Sequence, residues 1–248
     1  MKKGMLGVVT TAVVVLTWGS VAFGGRPLET TGAEPTDKGA VELEVGLEYS
    51  SGAVVSRCFD LDVSLTVGII ENVEIAVSAG GTAYSEAFGT KTSGQRDASL
   101  SAKWRFAGNE QSPVSAAAVG SVSFPTGSES KGLGSGCVDG SGGIALSWPL
   151  PGQLTGHVNA VYSACQHDND TVTLAAAIER PVGEKVTLVA ECATDQSTAG
   201  NKQDESSRAL VGIVMNASEK AAVDLGFRFG LDGRTPDIAV IAGVTYAF

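Results

Sequence analysis

The sequence predicts an all-β chain, a closed antiparallel transmembrane β-barrel of about twelve strands. Three observations carry this expectation. Stretches of roughly ten residues alternate apolar and polar side chains along the chain. The connections between them alternate between tight turns and longer loops rich in Gly, Ser and charge. An N-terminal export segment is followed by no apolar run long enough for a helix to span a bilayer.

Composition narrows the function classes. The 248 residues hold 17 Lys and Arg against 27 Asp and Glu, a formal net charge of −10, with no basic run. A phosphate backbone would be repelled, so no nucleic-acid partner is expected. With 43% hydrophobic residues the chain can bury a core or face a bilayer, which excludes disorder.

The first element is the export segment. Lys2 and Lys3 precede the apolar run at 5–22, and Ala22 and Gly24 fit the small positions before a cut at Gly25, so residues 1–24 read as a signal peptide. Thr10, Thr11 and Thr17 interrupt the run and no stop-transfer charges follow it, against a membrane anchor. Removal leaves 15 basic and 27 acidic residues, a net of −12. Residues 25–39, with two prolines and no alternation, read as a periplasmic arm lying across the lower mouth.

Strands follow over 40–248. At 40–49, Val41, Leu43, Val45, Leu47 and Tyr49 share one face, and Glu42, Glu44 and Glu48 the other. At 57–68, Phe59, Leu61, Val63, Leu65 and Val67 oppose Asp60 and Asp62. A third strand at 73–84 contributes Glu74 to the polar face. In the fourth, 96–106, Ala98, Leu100, Ala102, Trp104 and Phe106 oppose Lys103 and Arg105. Turning it over would place those cations in lipid at up to about 2–4 kcal/mol each, so the charged face must line the interior. Further strands are expected at 113–124, 141–148, 154–163, 171–180, 185–194, 206–215 and 221–230. The last, 236–248, carries Tyr246 and Phe248 on its apolar face and ends in the phenylalanine. Tight connections at 69–72, 107–112, 149–153, 181–184 and 216–220 contrast with loops at 85–95, 125–140 and 195–205. A secreted β-sandwich, the chief alternative, would not gather so many carboxylates on one strand face.

Residues 25–49, the stretch FPTGSESKGLGSGCVDGSGGIALS at 124–147 and the closing PDIAVIAGVTYAF together resemble the outer-membrane transporter family named for the meta-pathway of phenol degradation. The likeness covers nearly all of the mature chain and implies uptake of aromatic or other hydrophobic compounds across a Gram-negative outer membrane. The closing strand, with Tyr246 and the terminal Phe248 on its apolar face, looks like the C-terminal signal read by the barrel-assembly machinery of Gram-negative outer membranes. Glycines, turns and alternation carry the resemblance, so it specifies architecture rather than chemistry.

The candidate lumen-lining residues are Glu42, Glu44, Glu48, Asp60, Asp62, Glu74, Lys103, Arg105, His157, Asp224 and Arg228. One reading is a water-filled passage with an acidic wall that favours cationic or neutral small-molecule solutes. The other is a plugged lumen in which these charges pair, Glu74 meeting Lys103 and Arg105, leaving an exported structural or surface-binding barrel with no transport role. All four cysteines map near the loop end. Cys137 and Cys165 are the candidate disulfide, although four cysteines allow three pairings. Cys192 shares the lipid-facing parity of Val186, Leu188 and Ala190. The run CQHDND at 165–170 reads as polar loop chemistry rather than a metal site. With only His157 and His167, and no carboxylate in the strand of His157 to orient it, no catalytic residue, enzyme activity or cofactor is expected.

Overall fold

The computed structural model describes residues 25–53, 55–87, 89–109, 112–166, 170–199 and 205–248. The expected signal peptide, and His167 and Asp168 of the polar run, lie outside the described residues.

Thirteen strands form: β1 (Val41–Ser51), β2 (Arg57–Ile70), β3 (Val73–Ala87), β4 (Thr90–Gln95), β5 (Ala98–Ala107), β6 (Ser115–Phe124), β7 (Asp139–Leu150), β8 (Leu154–Ala164), β9 (Thr171–Val182), β10 (Val186–Ser197), β11 (Ser206–Asn216), β12 (Ala221–Gly230) and β13 (Ile238–Ala247). Each wall strand is antiparallel to its neighbours, and β1 pairs with both β2 and β13. The sheet therefore closes on itself. Twelve strands make the wall, because β4 pairs only with β3.

β4 corrects the expectation of a loop over 85–95. Strand β3 pairs with β5 as far as Ser78↔Ser99, then with β4 from Gly81↔Gln95. Three residues, 96–98, thus oppose two, 79 and 80, which is a bulge. Above it the β3–β4 hairpin continues the wall away from the short-turn end.

The face assignment follows from which side chains meet lipid. Leu61, Leu65, Leu100, Trp104, Ile178 and Phe227 are exposed on the outer surface, while the alternate positions point inward. Among the described residues no strand of the twelve-strand wall lacks a neighbour on either side, as a hydrocarbon environment requires. Closure at the termini is tight: the Phe248 backbone N–H donates to Val41 O at 2.9 Å, and the Tyr246 and Phe248 rings meet edge to face at 5.0 Å.

Residues 25–39, expected across the lower mouth, follow the inner wall. Pro27, Thr30, Ala33 and Thr36 are all buried there. Ala33 packs on Ala117 and Ala145, and Leu28 packs against the cluster of Val189, Leu210 and Ile241. The chain rejoins the wall where Gly39 N–H donates to Gly68 O at 2.7 Å.

Candidate functional site

The arm forms no strand ladder with the wall beyond the single bridge of Lys38 to Gly68, so its backbone amides need other acceptors. The wall supplies them from side chains. Glu191 on β10 accepts from the amides of Glu29 (3.0 Å) and Thr30 (2.6 Å). Asn159 on β8 accepts from Thr31 N–H at 2.8 Å and returns a bond to Thr31 O at 2.9 Å. Ser147 Oγ on β7 accepts from Ala33 N–H at 2.8 Å, and Glu74 on β3 accepts from Thr36 N–H at 2.6 Å. Each of these five amides is met by a side chain on the inward-facing parity of its strand.

Charge fixes both ends of this belt. Arg26 donates to Asp224 on β12 at 3.3 Å and to Ala242 O on β13 at 3.1 Å. Glu29 bridges two arginines, accepting from Arg228 Nη1 at 2.9 Å and from Arg208 Nε at 2.7 Å. Arg228 also pairs with Glu48, and Arg208 with Asp195 at 2.6 Å. At the other end Lys103 holds Glu74 at 3.0 Å and Glu34 O at 3.3 Å.

Glycines make room for the belt. Gly46 and Gly243 face each other across β1 and β13, and a Cβ on either would strike the Arg26 guanidinium. Gly212 and Gly226 face each other across β11 and β12, and added Cβ atoms would come within 2.9 and 3.0 Å of the Pro27 ring. Both pairs have inward parity.

Between arm and wall at the short-turn end lies a cavity of about 490 Å³, whose lining includes Glu42, Glu74, Lys103, His157 and Glu179. Its carboxylates are Glu34, Glu42, Glu74, Glu179 and Glu184, against the cations Arg26, Lys103 and Lys185. Lys103 and Arg26 are already paired, with Glu74 and Asp224. The field inside therefore favours a cationic or neutral guest.

The family model described as "Putative MetA-pathway of phenol degradation" matches residues 24–248. The chain belongs to this family. Among curated proteins no sequence matches it. Solved structures share the fold at low identity. An outer-membrane channel from Pseudomonas putida F1 superposes with a TM-score of 0.67 at 14% identity, over 87% of this chain and 98% of that one. The NanC porin gives 0.62 at 10% identity over 82% and 98%. The KdgM porin, solved with disordered oligogalacturonate, gives 0.59 at 8% over 83% and 99%. This member of the family thus shares the closed antiparallel β-barrel fold of these outer-membrane channels and porins.

The lumen candidates fall into three groups. Glu42, Glu74, Lys103 and His157 line the cavity. Glu48, Asp224 and Arg228 anchor the belt, and Glu44, with Oε1 buried and unbonded, lies on the same face of β1. Asp60 and Asp62 sit higher, bonded to Thr82 Oγ1 at 2.7 Å and paired with Arg96. Arg105 departs from expectation: it donates to Glu71 O at 3.3 Å in the β2–β3 turn and does not meet Glu74. The Cys137–Cys165 disulfide is also corrected. Cys137 Sγ instead turns to Asp139 Oδ1 at 3.3 Å, and the Cys165 backbone N–H is bonded to Asp170. Cys192 is exposed on the outer face. Arg26, Glu29 and Glu34 were missed as lumen residues, and the two inward Gly–Gly pairs were the signal that something passes close to the wall.

Proposed function

We propose that this outer-membrane barrel is a passive channel for small molecules, hydrophobic or aromatic, whose route past the wall is set by the N-terminal arm. The observation that carries the reading is the polar cavity walled jointly by arm and strands inside a closed barrel. Family membership supports aromatic cargo. Passage involves no chemical step, so the charged residues act by selecting and positioning solute.

A second reading is favoured by the belt itself: an arm bonded to Glu191, Asn159, Ser147 and Glu74 closes the lumen, and the barrel is structural. Single-channel recording of refolded residues 25–248 in a planar bilayer separates the two. Stable, cation-preferring steps support the channel. A silent bilayer, with the protein still heat-modifiable on a gel, overturns it in favour of the plugged barrel.

A further inference from the structure

Two side-chain atoms of the cavity wall are deeply buried and left without a partner, Thr30 Oγ1 and His157 Nε2, and of these only the histidine has a carboxylate of the same wall beside it. The His157 side chain is only 8% exposed, and Nε2 has no hydrogen-bond partner. Its other nitrogen is committed. Ser147 Oγ lies 2.8 Å from Nδ1 and accepts the Ala33 amide, which leaves its own proton available for Nδ1. With the serine proton in that bond, Nε2 carries the ring hydrogen and is a donor into the cavity. Glu179 Oε1 stands 3.8 Å from Nε2, beyond hydrogen-bond reach. A donor and an acceptor at that separation can both be satisfied by one hydroxyl oxygen between them, which accepts from Nε2–H and donates to the carboxylate.

The neighbouring wall completes the shape. Thr155 pairs with Glu179 on β9, and two residues along that strand Pro181 pairs with Thr187, which in turn pairs with Val214. All of these line the same cavity, so apolar surface from Pro181 and Val214 adjoins the polar pair. We infer that His157 and Glu179 form a hydroxyl-binding station, taking the O–H of a small neutral molecule whose apolar body lies against Pro181 and Val214. This deepens the channel reading and rests on it for the passage of such a molecule. A carboxylate anion fits poorly, because Glu179 would repel it.

The test uses residues 25–248 with His167→Gln, which leaves one histidine, refolded in detergent with ¹³C-labelled imidazole. Phenol should shift the His157 ring signals and saturate. Anisole, which keeps the ring and oxygen but lacks the proton for Glu179, should bind about tenfold more weakly or less. Glu179→Gln, at a half-exposed side chain that leaves heat-modifiability intact, should weaken phenol by a similar factor while leaving anisole unchanged. Equal shifts from phenol and anisole, no saturation, or indifference to Glu179→Gln overturn the station. A conducting protein with no phenol response loses the station and keeps the channel reading; saturable binding in a protein that never conducts keeps the station and loses the channel.

Discussion

Thr30 gives its buried backbone amide to a carboxylate oxygen of Glu191, 2.6 Å away and 161 residues later in the chain. One carboxylate thereby serves two consecutive amides of the arm. Glu191→Ala leaves both without a protein acceptor, at about 1–3 kcal/mol each where water does not replace it. The expected result is an arm open to protease in a barrel that still migrates as folded. Limited proteolysis read by mass spectrometry checks it, and an arm as resistant as before would contradict the assigned role.

Removing the arm is the larger perturbation. A chain beginning at Gly39 keeps every wall strand and loses all partners of Glu191, Asn159 and Arg208 that the arm provides. Conductance should rise several-fold over that of residues 25–248, measured under the same salt.

Lys103 and Arg105 should separate in their effects. Lys103 sits in the cavity between Glu74 and the Glu34 carbonyl, so Lys103→Ala exposes a carboxylate and should move the reversal potential toward stronger cation preference. Arg105 is tied to the Glu71 carbonyl in a turn, and Arg105→Ala should change selectivity little. Reversal potentials in a salt gradient distinguish the two.

Leu100 tests the face assignment. It is exposed on the outer surface of β5, so Leu100→Arg places a cation in hydrocarbon at about 2–4 kcal/mol near midplane. The gel shift between folded and unfolded forms should occur at lower temperature, whereas Ser99→Arg on the inner face should be milder.

We propose that Phe248 acts in assembly. Deleting it removes the bond to Val41 O and the ring contact with Tyr246, and the outer-membrane fraction should fall. Phe248→Ala keeps the backbone bond, so a comparable fall would place the effect in the ring.

Alternation made the wall legible because it is a local property. In β1 and β2 each residue's neighbour two positions away already states which side is lipid. The hairpin strand β4 escaped for the same reason. Thr90, Lys91, Thr92 and Ser93 are polar on both faces, since above the bilayer both faces are wet, and no alternation remains to be read. The arm was illegible for a different reason. Its contacts run through backbone amides, which every residue type offers equally, to acceptors more than a hundred positions away, such as Asn159 and Glu191. Only the inward Gly46–Gly243 and Gly212–Gly226 pairs carried a trace of it, as missing volume rather than as a motif.

Arg26 lies across the seam where the first strand meets the last: it bonds Asp224 on β12 and Ala242 on β13 and is cradled by Gly46 on β1. The seam is the one join in the wall that local hairpin formation cannot make, since its partners lie at opposite ends of the chain. The closing join therefore has a tie that neither of the two strands meeting there supplies, and its strength depends on a side chain of the arm.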